Sequence, residues 1–183
     1  MLILASASPR RQAMIKDAGY EFKVHPADID ETAKASESPE KLVKRLALEK
    51  AQKVLESYPN DIILAADTVV AWGPEILGKP ADFIEARKMI EKLNGKKHSV
   101  FTGVAIIGNG VELNWIAETE VTFNQLTDQQ VDDYLAQANP LDKAGAYAIQ
   151  DHGELLVEEY DGLYSNVVGL PIEEVNEALK DLL

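Results

Sequence analysis

The chain contains no cysteine, which excludes a disulfide framework, a thiolate metal site and a cysteine nucleophile. It has only three histidines, His25, His98 and His152, and no two of them stand at the i, i+4 spacing that places a metal-ligating pair on one helix face. A Gly-x-Ser-x-Gly elbow for a serine hydrolase is missing too. Lys and Arg are outnumbered 18 to 31 by Asp and Glu, leaving a net charge of −13. Such a charge repels a nucleic-acid backbone, whose binding depends on clustered Lys and Arg. A small anionic ligand is still compatible, because a few focused cations outweigh a diffuse negative field at short range. No apolar run approaches the roughly 20 residues that span a bilayer, and Met1-Leu2-Ile3-Leu4-Ala5 is too short for a secretory signal. The expectation is a soluble, cytoplasmic protein with neither nucleic acid nor membrane as partner.

What is present is ordinary globular material: 183 residues, 46% hydrophobic and 27% charged, enough for one domain or two tightly coupled lobes. There is no internal repeat, low-complexity tract or long linker. A short buried strand is predicted at Leu2 to Ala5, then a helix opened by Ser8 as N-cap with Pro9 at its first position and closed near Gly19. Phe22 and Val24 alternate with polar neighbours as a strand does. Ser38-Pro39 opens a second helix, with an apolar stripe of Leu42, Val43, Leu46, Ala47, Ala51 and Val54 at helical spacing. Residues 62–72 form a β-rich apolar run, and Asp82 with Glu85 makes a capping-box pattern before a helix that stops ahead of Gly95. Strands are predicted over 99–107 and 111–116 around a Gly108-Asn109-Gly110 hairpin turn, with strand again over 119–123. Thr127 and Gln130 cap a short helix, and Pro171 opens a last one with Ile172, Val175, Leu179 and Leu182 on one face. Early alternation of helix and strand with a later hairpin implies an α/β fold with a mixed central sheet and flanking helices.

Four places carry chemistry. Ser6-Ala7-Ser8-Pro9-Arg10-Arg11 joins a buried strand to a helix amino terminus. Free backbone N–H groups, two hydroxyls and two guanidiniums there suit phosphate oxygens, although a capped helix with surface arginines gives the same string. Asp67 interrupts an apolar strand-like run, and a buried carboxylate needs a partner, a metal or a cleft. Either it marks a turn between two short strands, or it emerges from a strand end into a pocket, as metal-assisted hydrolysis requires. Lys50 falls inside the apolar stripe of the second helix. Its stem either snorkels over the core to water or delivers the ammonium to a phosphate. Asp28-Ile29-Asp30-Glu31 is a carboxylate cluster that is either a solvated loop or a source of Mg²⁺ ligands, and Gly78-Lys79-Pro80 sets a lysine in a rigid turn.

These segments, taken in order, resemble the Maf family of nucleotide pyrophosphatases over nearly the whole chain. The resemblance rests on Leu4-Ala5-Ser6-Ala7-Ser8-Pro9-Arg10-Arg11, Asp30-Glu31, Arg45-Leu46-Ala47, Lys50-Ala51 and Ala65-Ala66-Asp67-Thr68-Val69-Val70. It continues through Gly78-Lys79-Pro80, His98-Ser99-Val100 with Thr102, Lys143-Ala144-Gly145-Ala146-Tyr147-Ala148-Ile149-Gln150 and Asn166-Val167-Val168-Gly169-Leu170-Pro171. It implies an elongated fold with a nucleotide cleft between two lobes of one domain, shared with ITPase-like proteins, and a homodimer. It also implies hydrolysis between the α and β phosphates of a nucleoside triphosphate, with a divalent ion such as Mg²⁺, Mn²⁺ or Co²⁺. By matched position Asp67 is the proton acceptor, and Arg11, Lys50 and Lys79 hold the triphosphate. Glu31 supports metal or phosphates, so the implied metal set is Asp67 and Glu31, and Ser6 and Ser8 belong to the phosphate turn.

Arg10, Thr68 and Gln150 match the positions that look diagnostic of the subgroup acting on dTTP and UTP; the subgroup acting on 7-methyl-GTP typically has Gln where this chain has Thr68. The chain departs from the family pattern at Asp151-His152-Gly153-Glu154 and at Leu163, which bears on base selection more than on the reaction. Competing expectations are a purine house-cleaning pyrophosphatase acting on ITP or XTP, and a nucleotide-binding regulator of septum formation.

Overall fold

The computed structural model describes all 183 residues. The elements run β1 (Leu2–Leu4), α1 (Pro9–Asp17), β2 (Phe22–Val24), α2 (Pro39–Leu55), β3 (Ile62–Trp72), β4 (Glu75–Leu77), α3 (Phe83–Leu93), β5 (Lys97–Gly108), β6 (Val111–Phe123), α4 (Asp128–Gln137), α5 (Gly153–Leu156), β7 (Val157–Asp161), α6 (Tyr164–Val168) and α7 (Ile172–Leu179). The sheet has seven strands in the order β2-β1-β3-β5-β6-β7, with β4 paired to β3. It is mixed: β1 pairs in parallel with β2 and β3, whereas β3·β4 and β6·β7 are antiparallel. The expected α/β class with a mixed central sheet is the observed one.

By its internal contacts the chain forms two compact units: residues 1–68, 102–117 and 169–183, and residues 69–101 and 118–168. In the first unit, strand alternation divides the core in two. Leu2, Leu4, Ile62, Leu64, Ala66, Val104 and Ile106 form one apolar cluster with Ile15 of α1 and Val175 and Leu179 of α7. Ile3, Ala5, Ile63, Ala65, Ala105 and Ile107 form another with Ala47, Ala51 and Val54 of α2. Both faces of these strands are covered by helices, which is why they read as continuous apolar runs without polar alternation. Burying a side chain such as Leu64 or Ile63, both at zero exposure, stabilises the fold by about 1.5–3 kcal/mol. The second unit has its own cluster, with Val70, Met89, Ile90, Leu93, Phe123, Tyr134 and Tyr147 among its members.

Local signals are realised closely. Ser8, Ser38, Asp82 and Thr127 each cap a helix with a side-chain oxygen. At Thr127 the full capping box with Gln130 is present. At Asp82 the box is displaced: Glu85 donates its backbone N–H to Asp82, but its own carboxylate accepts from the N–H of Ala81. The hairpin turn places Asn109 and Gly110 at φ of 51° and 81°, the left-handed pair of a tight two-residue connection. The two strands expected after this turn are one, β6, and the edge strand β7 and the short β4 add to the expected set. Residues 62–72 form one unbroken strand through Asp67, which removes the turn reading and also corrects the expected strand end, since Asp67 projects from mid-strand.

Candidate active site

The alternation that builds the core also aims the polar residues. Ile63 and Ala65 face α2, so Asp67, next in the same register, faces α2 as well. Lys50 lies in the stripe of α2 with Ala47, Ala51 and Val54. The two side chains meet: Lys50 Nζ is 2.7 Å from Asp67 Oδ1. The ammonium does not snorkel to water. Both side chains are about nine-tenths buried, at 10% and 11% exposure, and Lys50 Nζ also lies 3.2 Å from Oε1 of the exposed Glu31.

Glu31 belongs to an irregular loop that α2 pins down. Arg45 donates to the carbonyl of Thr32 at 3.2 Å and to both oxygens of Glu37 at 2.7 and 2.8 Å. Glu37 in turn accepts from the N–H of Lys34. The Arg45 guanidinium holds the Glu37 carboxyl well below the usual carboxylate range. In the same loop Asp30 accepts from the N–H of Thr32 and is lowered by hydrogen bonding to that residue. Asp30 thus shapes the turn, while Glu31 reaches the cluster.

One residue after Asp67, alternation sends Thr68 to the face of α1 and α7. There Arg11 of α1 donates from Nη2 to Thr68 Oγ1 at 2.9 Å, from Nε to the carbonyl of Gly169 at 2.8 Å, and from Nη1 to Ser6 Oγ at 3.4 Å. Desolvation lowers the pKa of this half-buried guanidinium, opposed by the fields of Asp67 and Glu31 and reinforced by that of Arg10. All three acceptors are neutral. A half-buried cation without a contacting carboxylate has unmet electrostatic demand, which a phosphate satisfies. Ser6 Oγ also accepts from the N–H of Ser8, and Ser8 Oγ accepts from the N–H of Arg11 as the helix cap. Ser8 thus caps α1 as expected, and Arg10 lies in the first turn of that helix, half-buried.

The first unit thus holds two groups, Glu31, Lys50 and Asp67 on the α2 face and Ser6, Ser8, Arg11 and Thr68 on the α1 face. Lys79 and Gln150 belong to the second unit, and both are exposed. Within that unit the carbonyl of Gly78 accepts from the N–H of Gly145 at 3.1 Å, tying the Lys79 turn to the segment that leads to Gln150. Gly145 is required there: its φ is +67°, and a Cβ would sit 2.9 Å from Val70. Four further contacts fix this segment. Lys143, nearly fully buried, lies 3.3 Å from Asp151 and donates to the carbonyl of Asn139 at 2.6 Å. Tyr147 OH meets His98 Nε2 at 2.7 Å, and the N–H of Ala148 donates to Tyr134 OH at 3.3 Å. Burial pushes Tyr134 up to about 12, raises Tyr147 further, and pushes His98 down to about 4. The atypical Asp151 is thereby an anchor for Lys143, a role for which the local sequence carries no signal.

For a divalent ion the available donors are the carboxylates of Asp67 and Glu31, both already oriented at one cationic point. Hard divalent ions accept such oxygens and bind through one or two carboxylates completed by phosphates and water. No cluster of three or more His, Asp or Glu is assembled as a ready metal cage. The residues fit an ion shared with a phosphorylated ligand, with Asp67 and Glu31 as its protein contacts.

The α/β chain carries a buried carboxylate–ammonium pair on one face of β3 and a guanidinium at a strand–helix turn on the other. A family profile described as "Maf-like protein" matches residues 1–182, and the chain belongs to the Maf family. It is similar to a protein named "dTTP/UTP pyrophosphatase" from Bacillus cereus (strain AH820), 45% identical over 179 residues, covering 98% of this chain and 94% of that one. A protein of the same name from Bacillus anthracis is 45% identical with the same coverage. Another from Bacillus mycoides (strain KBAB4) is 44% identical, again over 98% and 94%. No helix is long and apolar enough to cross a membrane.

Proposed function

We propose that the protein is a nucleoside triphosphate pyrophosphatase that hydrolyses dTTP and UTP to the monophosphate and pyrophosphate. The single observation that carries this reading is the buried Lys50–Asp67 pair shared with Glu31. Family membership and near full-length relatives named dTTP/UTP pyrophosphatase support it.

In this reading the ligand-free pair is a resting arrangement. An incoming triphosphate competes for the ammonium of Lys50, which has three N–H donors. As Lys50 turns to the phosphates, Asp67 is released to take the proton from the attacking water, while Arg11 and Lys79 stabilise charge on the phosphate oxygens. Phosphoryl chemistry depends mainly on such positioning and electrostatics. A bound Mg²⁺, held by Asp67 and Glu31, would supply Lewis-acid stabilisation of the phosphate charge. Ser6, Ser8 and Arg10 complete the anion turn, and Gln150 offers an amide donor and acceptor to the base edge. The homodimer implied by the family belongs to the same proposal, and its measure is the mass in solution by light scattering.

The test is pyrophosphate release by the purified protein with Mg²⁺ from dTTP, UTP, CTP, ITP, XTP and 7-methyl-GTP. Release led by dTTP and UTP is expected. Release led by ITP or XTP overturns the base assignment, and no release with Mg²⁺, Mn²⁺ or Co²⁺ overturns the enzymatic reading in favour of a binding role.

A further inference from the structure

We infer that Thr102 is a positioning residue for the Arg11 guanidinium and acts on it through Thr68. This rests on the reading of Arg11 as a phosphate-holding group. Thr102 is fully buried on β5, one of only nine buried polar or charged residues in the chain. It lies in register with Val104 and Ile106, on the face where Thr68 follows Leu64 and Ala66. β3 and β5 are neighbours in the sheet, and Thr102 Oγ1 lies 2.8 Å from Thr68 Oγ1.

Proton accounting gives the pair its direction. A threonine hydroxyl has one proton and two acceptor sites. Thr68 Oγ1 accepts from Arg11 Nη2 at 2.9 Å and lies 3.3 Å from the carbonyl of Gly169. If Thr102 donates to Thr68, the Thr68 hydroxyl accepts two hydrogen bonds and donates one, and its capacity is full. Its oxygen is then committed to the guanidinium. Gly169 closes the ring, because its carbonyl also accepts from Arg11 Nε at 2.8 Å.

The guanidinium is therefore fixed at two of its three nitrogens by short bonds and at the third by the longer 3.4 Å contact with Ser6. Of five N–H donors, two remain for a ligand, one each on Nη1 and Nη2. They are presented as a planar fork, the geometry that matches a phosphate bidentately. Thr102 contributes by locking the Thr68 hydroxyl against rotation. Without it, the Thr68 hydroxyl keeps only the 3.3 Å bond to the Gly169 carbonyl to oppose its displacement from Arg11.

The experiment is a double-mutant cycle read by calorimetric binding of inorganic pyrophosphate with Mg²⁺. Thr102→Val removes the hydroxyl at nearly constant shape; Arg11→Lys keeps a cation but removes the fork. Thr102→Val is expected to weaken pyrophosphate binding about tenfold in the wild-type background and less than about twofold in the Arg11→Lys background, since residues in one hydrogen-bonded network couple. Thr102→Ser, which keeps the hydroxyl, is expected to restore binding to within about twofold of wild type. An equal loss in both backgrounds, or no loss in either, overturns the relay. Should Thr102→Val fail to fold, the Thr102→Ser variant decides: a loss as large as that of Arg11→Lys overturns the inference, and near-wild-type binding supports it. Pyrophosphate binding without turnover of any triphosphate overturns the proposed function and leaves the relay standing. No pyrophosphate binding by the wild type overturns the relay, while the proposed function then stands or falls on pyrophosphate release alone.

Discussion

Lys50 Nζ lies 2.7 Å from Asp67 Oδ1 inside the first unit, with each side chain about nine-tenths buried. The apolar stripe of α2 carries the lysine and the apolar register of β3 carries the aspartate, so the packing that builds the core also delivers the ion pair. Burial makes the two residues mutually dependent, because neither charge is tolerated there alone.

That dependence is measurable in stability. Lys50→Met is expected to destabilise the fold by about 3 kcal/mol, because it leaves a buried carboxylate unpaired. Adding Asp67→Asn to Lys50→Met should recover a large part of the loss. Urea unfolding of the two single variants and the double variant checks this, and additive losses would refute it.

Removing the base without removing the site is the corresponding test of chemistry. Asp67→Asn is expected to lower turnover of dTTP by at least about 100-fold, the range of general-base contributions, with joint affinity for Mg²⁺ and pyrophosphate falling by a smaller factor because Glu31 still supplies a carboxylate. Steady-state rates and calorimetry on the same preparation give both quantities. A loss below about tenfold would remove Asp67 from the role of proton acceptor.

Divalent ions should bind jointly with phosphate, since the protein offers two carboxylates and no closed cage. Mg²⁺ alone is expected to raise the thermal midpoint little, and Mg²⁺ with pyrophosphate by more than the two do separately. Exhaustive chelation should abolish turnover and added Mg²⁺ should restore it. Full activity after chelation would contradict the shared-ion assignment.

Acid should weaken the second unit through His98. Its imidazole is buried and pushed from an ordinary 6.5 down to about 4, so the folded protein keeps it neutral where the unfolded chain takes a proton. The contribution is present in full above about pH 6.5, falls as pH drops, and is lost by about pH 4, a total of about 3 kcal/mol. Urea unfolding at pH 7, 5.5 and 4.5 should show His98→Gln with a shallower decline than wild type. Parallel declines would show that His98 does not titrate in this way.

Close backbone approach at Gly103 links α2 to β5. A Cβ there would lie 2.1 Å from the Val43 carbonyl oxygen, two helical turns before Lys50. Gly103→Ala is expected to destabilise by about 1–3 kcal/mol through overpacking and to lower turnover by moving α2. Unfolding midpoints and dTTP rates test the two halves, and an unchanged rate in a destabilised variant would detach Lys50 placement from this contact.

Much of this molecule is legible in the chain because its signals are local. Ser8-Pro9 and Ser38-Pro39 place helix starts through capping and a fixed proline φ, and Gly108-Asn109-Gly110 sets a hairpin through its left-handed positions. Asp67 stands out since a carboxylate in an apolar strand must be satisfied by something. Edge strand β7 is not legible, because Val157, Glu158, Glu159, Tyr160 and Asp161 are mostly exposed and carry no apolar alternation. Its strand character comes from pairing with β6.

The sequence by itself determined the helix caps, the two-sided apolar strands, the acidic surface and the residue types of a phosphate site, all of which follow from side-chain chemistry and short-range periodicity. Only the tertiary structure decided which partners they meet. Strand alternation sends Asp67 to Lys50 on one face and Thr68 to Arg11 and Thr102 on the other, and the ring through Gly169 joins residues 158 positions apart. Contacts of that separation depend on how strands and helices pack around a shared core, and no local window of the chain contains them.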